Sequence, residues 1–287
     1  NLFGMGGSPL FCIERGRGNL EKAREILGNT FALLVGTGAM LTVVILLIKR
    51  PLLYAFGASD ATYPYADGYI TIYLLGSVFV MVSLGMNQFI NAQGFGRKGM
   101  MTVLIGAVTN IVLDPLFIFV FDMGVQGAAL ATIISQFLSA LWAFSFLRGK
   151  KALIRLEWPC LKLRLQLVWQ ILSLGFSSFV MAITNSIVQV ACNSTLQAFG
   201  GDLYVGVMTI INSVREVVST PINGVTNAGQ PVVGFNYGAQ EYRRVRQGIL
   251  FTTIVCVIYT TAVWLLLFLF PRFFIGLFSM EADMVEA

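Results

Sequence analysis

The sequence predicts an all-α, polytopic membrane protein. Three observations carry that expectation. Of its 287 residues 56% are hydrophobic and 11% charged, with a mean hydropathy of +0.78, which leaves too little polar surface to cover a water-soluble globule of this length. Apolar stretches of about 20 residues or more recur, and a helix satisfies such backbone internally in lipid. The alternation that a transmembrane barrel requires is absent.

Residues up to Ile13 read as the end of a helix already under way, and the chain as an internal piece of a longer protein. Glu14 to Arg24 reads as a charged loop broken by Gly16 and Gly18. Spans are expected at about 30–50, 67–91, 100–121, 125–147, 166–197, 203–235 and 246–270, seven in all. The 203–235 span is longer than a bilayer needs, so Pro221 is expected to bend it and its last turns to pass the surface. Between the fourth and fifth spans lies a basic stretch, Gly149 to Leu165, with Trp158-Pro159 inside it. Its Leu153, Ile154, Leu156, Leu161, Leu163 and Leu165 suit a segment lying on the membrane surface.

Charge gives the orientation. Of the 19 Lys and Arg, all but Lys49, Arg50, Arg215 and Arg272 fall in one alternate set of loops. The positive-inside rule places those loops, around Arg97, Lys150 and Arg243, in the cytoplasm of a multi-pass protein of the cell inner membrane. Asp60, Asp67, Asp122, Asp202, Glu281, Asp283 and Glu286 occupy the other side. The net charge of +5 therefore calls for anionic lipid and no nucleic acid. Cys12, Cys160, Cys192 and Cys256 stand singly, without a disulfide framework or metal-ligand spacing, and histidine is absent. Carboxylates are left as the proton-handling groups near neutral pH.

One carboxylate stands out. Asn110 and Asp114 are four apart in an apolar run, so a helix puts them on one face. An ionised Asp near a bilayer centre costs about 2.5–3.5 kcal/mol on insertion scales and faces a bundle interior or wet cavity. Pro115 follows directly, offers no N–H to Ile111, and marks a hinge at the same point.

The sequence also echoes itself. Ser8-Pro9 followed by Gly16, Gly18 and Ala23-Arg24 is matched 222 residues later by Gln230-Pro231 followed by Gly238, with Tyr242-Arg243-Arg244 next, and Leu53 to Gly57 align with Ile275 to Ser279 at the same offset. A repeat with an even number of spans keeps its orientation, as in transporters made of two parallel halves.

Three motifs now carry a resemblance. Gln230-Pro231-Val232-Val233-Gly234-Phe235-Asn236-Tyr237-Gly238, the Asn110-x3-Asp114-Pro115 run, and Gly124-Val125-Gln126-Gly127-Ala128-Ala129 together resemble the multidrug and toxic compound extrusion (MATE) transporters. The resemblance implies two pseudo-symmetric six-helix lobes. Residues 1–148 would be the end of helix two through helix six, 149–165 a cytoplasmic inter-lobe linker, and 166–287 helices seven to nine of a partial second lobe. It also implies a cation site at Asn87, Asn110, Asp114 and Thr132, completed by an Asp on the first helix, as in the prokaryotic branch related to DinF and MepA. Where the NorM-like branch has a Glu on helix seven, this chain has Asn185, an amide that cannot titrate. Two amides, a hydroxyl and a carboxylate form a hard-oxygen set suited to Na⁺, and the carboxylate alone suits H⁺.

Other residues read more plainly. Asn91 suits a helix end or helix-to-helix hydrogen bonding, and Thr132 taken alone a hydroxyl bonded back onto its own helix. Arg215 and Glu216 point about 100° apart on a helix and suit a structural role or a cavity wall. Gln230, Pro231, Asn236 and Gly238 suit a cytoplasmic helix end, with Gly238 supplying left-handed backbone. Met81, Met86, Met181, Met208, Phe79, Phe89 and Phe179 read as core or lipid contacts before drug contacts.

The expectation is a monomeric antiporter that exports organic, cationic or amphipathic molecules, driven by Na⁺ or H⁺ and needing no cofactor. The alternative is a lipid-linked saccharide flippase or polysaccharide exporter, for which a more basic cavity than Arg215 alone is expected. An enzyme is disfavoured by the lack of a catalytic dyad or nucleophile elbow. A channel is disfavoured by the internal duplication.

Overall fold

Helices α1 (Leu2–Gly16), α2 (Leu20–Ala55), α3 (Tyr63–Leu75), α4 (Ser77–Ala92), α5 (Gly96–Pro115), α6 (Gly124–Arg148), α7 (Leu165–Gly238) and α8 (Tyr242–Leu269) follow one another in a computed structural model that describes residues 2–55 and 63–269. A π-helical stretch, Leu116–Val120, continues α5, and a 3-10 turn, Trp158–Leu161, precedes α7. No strand occurs among the described residues. The chain divides into two units, residues up to Phe176 and residues from Ser177 onward.

Five stretches are long and apolar enough to cross a membrane: Leu20–Tyr54, Gly96–Val120, Gly124–Arg148, Leu165–Leu196 and Tyr242–Leu269. Helices α3 and α4, bent by 49°, make a sixth as a broken span. The sixth expected span, 203–235, falls within α7, which runs from Leu165 to Gly238 for 74 residues with Pro221 and Pro231 inside it. Glycine lowers helix propensity without removing a donor, and a single proline forfeits one hydrogen bond while the ladder on either side persists.

The bend between α3 and α4 was not legible in the apolar run. It falls at Gly76, where a side chain would overlap Ile133 of α6. The Leu74 carbonyl freed there accepts from Thr42 Oγ1 of α2 (3.0 Å), which also lies 2.7 Å from Ser77 Oγ. A broken helix is tolerated in lipid when a neighbour re-satisfies the backbone in this way. Beyond the break, Lys49 Nζ meets Asp67 Oδ1 at 2.8 Å, joining α2 to α3.

The supposed loop from Glu14 to Arg24 shrinks to Arg17, Gly18 and Asn19, with the flanking charges inside α1 and α2. Glu14 is only 2% exposed. Its Oε1 accepts from Arg17 Nη1 at 2.9 Å and Lys22 Nζ at 3.0 Å, so charges that read as solvated hold a buried carboxylate.

This turn is repeated 222 residues later. In the first copy the N–H groups of Arg17, Gly18, Asn19 and Ala23 donate to Ile13, Arg15, Glu14 and Asn19 at 3.0, 3.1, 3.0 and 3.1 Å. In the second, Ala239, Gln240, Glu241 and Val245 donate to Phe235, Tyr237, Asn236 and Glu241 at 3.0, 3.1, 2.9 and 3.1 Å. Both copies are Schellman-type helix ends whose left-handed residue is Gly18 (φ +80) in one and Gln240 (φ +60) in the other. Gly238, expected to supply the left-handed geometry, is instead the last residue of α7, as Gly16 is of α1. The other aligned segment, Leu53 to Gly57 with Ile275 to Ser279, lies for the most part outside the described residues, as do Asp60, Arg272, Glu281, Asp283 and Glu286. A β-carbon at φ > 0 is strained, so Gln240→Gly is expected to stabilise the protein by up to about 1 kcal/mol, read as a raised Tm in detergent.

The first unit is packed most tightly at the end that carries the basic loops. Phe11, Ile26, Leu27, Met86, Phe89, Ile90, Leu147 and Ile171 are fully buried there, with Phe11 edge-on to Phe89 at 5.4 Å. Met86 and Phe89 are thus core residues, whereas Met181 and Phe179 are exposed. Residues from the 149–165 stretch join this core. Ile154 and Leu156 are buried and Leu161 packs partly buried against the core, while Leu153, Leu163 and Leu165 face outward, so half of the apolar set expected on the membrane surface turns inward.

Two buried amides hold that stretch in place. Gln93 Nε2 donates to Ile154 O (3.2 Å) and Gln93 Oε1 accepts from Ile154 N (3.0 Å). Asn29 Nδ2 donates to Cys160 O and Lys162 O at 3.3 and 3.2 Å, and Asn29 Oδ1 accepts from Arg164 N at 2.8 Å. Removing either side chain strands backbone groups at a cost of about 1–3 kcal/mol each. Asn29→Leu is therefore expected to loosen the backbone at Lys162 and Arg164, with trypsin cleaving after these residues several-fold faster than in the unaltered protein.

Candidate functional site

Helix α5 places Asn110 and Asp114 on one face, and the structure joins them: Asn110 Nδ2 donates to Asp114 Oδ1 at 3.2 Å. Both are half-buried, while Ile111 and Val112 beside them are 70% and 61% exposed. The polar pair therefore turns to the inner side of α5 and the apolar pair to the outer side.

Helix α6 supplies the opposite wall. Ser139 Oγ donates to Thr102 O (2.9 Å) and Trp142 Nε1 to Lys98 O (3.4 Å), with Gly106 against Ser139 and Ser135. This antiparallel register, continued one turn along the same face of α6, carries Thr132 level with Asn110. Thr132 Oγ1 donates to Ala128 O at 3.0 Å and keeps its lone pairs free to accept.

Asn87 is elsewhere. Its side-chain oxygen is buried without a hydrogen-bond donor and packs with that of Asn91 against Gly99. Gly99 precedes Asp114 by four turns of α5, about 22 Å of helix rise. The reason is topological: α4 and α5 are antiparallel and joined by a tight turn at Gln93, Gly94 and Phe95, so Asn87 meets the start of α5 and not its far end. Among the described residues the structure joins Asn110 to Asp114, and Thr132 stands on the neighbouring helix α6.

At Pro115 the helix changes type. Pro115 keeps helical angles (φ −60, ψ −36), yet the backbone beyond it is π-helical, with Phe121 N donating to Leu116 O at 3.0 Å. A missing donor at 115 and wide turns immediately after it make a locally weak ladder beside the carboxylate, and π-turns are frequent at functional sites. Proline signalled the position; the π-turn itself had no signature in the sequence.

The remaining candidates lie in the second unit. Asn185, Arg215 and Glu216 are exposed on α7, and no ion pair joins Arg215 to Glu216 among the described residues. Asn212, one turn before Glu216, has a buried side-chain oxygen without a donor and was not singled out from sequence. Gln230 and Pro231 are half-buried inside the last turns of α7, and Asn236 Nδ2 donates back to Val232 O at 2.8 Å. Gly238 is buried at the helix end.

The profile of the MatE family matches residues 2–116 and 177–287, more than half of the sequence. The chain belongs to the MatE family. Its relatives include the multidrug export protein MepA of Staphylococcus saprophyticus, 24% identical over 290 residues and 99% of this chain. MepA of Staphylococcus aureus strain MW2 is likewise 24% identical, over 291 residues. The chain spans 63% of the length of these relatives. Among solved structures, the MATE multidrug transporter DinF-BH in complex with R6G superposes with a TM-score of 0.90 at 31% identity, covering 99% of this chain and 64% of its own. A MATE structure in a bent conformation superposes with a TM-score of 0.92 at 24% identity, with the same coverage. A fragment of the two-lobed MATE fold accounts for the helices and for the repeated turn.

Proposed function

We propose that the complete protein is an exporter of organic, cationic or amphipathic compounds, coupled to Na⁺ or H⁺ and working by alternating access, and not an enzyme. The observation that carries this reading is the Asn110–Asp114 pair at the Pro115 π-turn. The names of its relatives, multidrug export proteins and multidrug transporters, support it. Asp114, Asn110 and Thr132 form the oxygen set for the cation. When a cation or proton neutralises Asp114, the cost of holding a charge in this face falls, and the weak ladder beyond Pro115 repacks. An ion that binds the two shapes unequally biases the lobe between them, and that bias drives export.

In this reading the protein is a monomer in the cell inner membrane, and the loops at Arg97, Lys150 and Arg243 face the cytoplasm. Ethidium transport by the complete protein in proteoliposomes tests it: accumulation should require an imposed Na⁺ or H⁺ gradient and collapse with an ionophore. Saturable flux without any gradient would instead mark a facilitator.

A further inference from the structure

A cavity of about 150 Å³ opens beside the first turns of α7, lined by Lys22, Glu25, Arg164, Gln166, Leu167 and Gln170. All of these residues lie in the first unit. Donors and acceptors both line it. Lys22 Nζ bonds Glu14 at 3.0 Å and has further N–H groups to give, while Arg164 Nη1 bonds Glu25 Oε2 at 2.8 Å and keeps the rest of its fork. The acceptors are the Glu25 carboxylate and Gln170 Oε1, a buried oxygen without a hydrogen-bond donor. A buried acceptor left without a donor is costly, and a ligand N–H would recover that cost.

The surroundings fix the depth. One turn apart on the same helix, Leu165 and Trp169 are 86% and 73% exposed. An exposed Trp beside a cluster of Lys and Arg is the signature of the headgroup layer on the basic side of a membrane protein.

We propose that this cavity binds the headgroup of a phosphatidylethanolamine from the cytoplasmic leaflet. The phosphodiester lies against Lys22 and Arg164, the primary ammonium donates to Gln170 Oε1 and Glu25, and the acyl chains follow the face of Leu165 and Trp169. A phosphatidylcholine carries the same charges but no N–H, so it leaves Gln170 unsatisfied. Phosphatidylglycerol offers hydroxyls but no cation for Glu25. The proposal uses the membrane orientation given above and is independent of ion coupling.

Native mass spectrometry of the complete transporter, given phosphatidylethanolamine, phosphatidylcholine and phosphatidylglycerol in equal amounts, tests it. Phosphatidylethanolamine should be retained about threefold or more over the other two, with retention falling stepwise through its mono- and dimethyl derivatives as N–H donors are lost. Gln170→Leu should bring it down to the phosphatidylcholine level while gradient-driven dye transport continues. Free glycerophosphoethanolamine in large excess should not displace the lipid; displacement would make a soluble phosphodiester the ligand. Equal retention of the three lipids, or an undiminished preference in Gln170→Leu, overturns the proposal. If that variant does not fold, the methylation series on the unaltered protein decides by itself.

Discussion

Asp114→Asn in the complete transporter is expected to lower gradient-driven ethidium efflux at least about tenfold, a loss of 1.4 kcal/mol or more of coupling. The amount of folded protein in the membrane should not fall. The substitution keeps shape and keeps an oxygen for Asn110 to donate to, so the 3.2 Å contact survives it. What disappears is the charge, and with it any difference between the ion-loaded and ion-free states. Folding becomes slightly easier, because an uncharged side chain avoids part of the insertion cost of an ionised Asp. Asp114→Glu should retain partial transport, and Asn110→Leu should fall between the two, since it removes a neighbouring oxygen and leaves the carboxylate. Efflux by Asp114→Asn equal to that of the unaltered protein would refute ion coupling at this residue.

The second large effect is structural. Gly175→Leu is expected to prevent stable folding of the first unit, seen as loss of the monodisperse peak in size-exclusion chromatography and a Tm lowered by many degrees. Here α1 and the first turns of α7 touch backbone to backbone: a side chain at Gly175 would overlap the Leu2 carbonyl, and one at Gly6 the Ile171 carbonyl. Overpacking costs about 1–3 kcal/mol when side chains can shift, and more when the obstacle is backbone. Gly36 on α2 is the control, because nothing lies within 4 Å of where its side chain would point. Gly36→Leu should leave the Tm unchanged.

The legibility of the site differed from residue to residue, for physical reasons. Asn110 and Asp114 were legible because a four-residue spacing fixes which side chains meet on one helix, whatever surrounds it. Asn87 was misplaced because its position depends on the register between two helices, set by the tight turn after Gln93, and no spacing within α4 contains that register. Glu14 read as a loop charge, and Asn29 and Gln93 as ordinary polar residues; burial together with the bonds each makes gives them their structural role. The repeated helix end was half visible. Proline and glycine recur at a 222-residue offset, but Gln240 occupies the left-handed position that glycine was expected to fill.

The sequence by itself determined the solvent, the helical class and the carboxylate next to Pro115. Those follow from composition, and from the cost of unpaired backbone and charge in lipid, which are properties of local stretches. Only the tertiary structure decided that the basic stretch between the lobes is pinned by Asn29 and Gln93, that the second span breaks at Gly76, and that Asn87 sits four turns from Asp114. Each of these depends on which neighbour arrives to accept a hydrogen bond or fill a gap, and neighbours distant along the chain are chosen by packing.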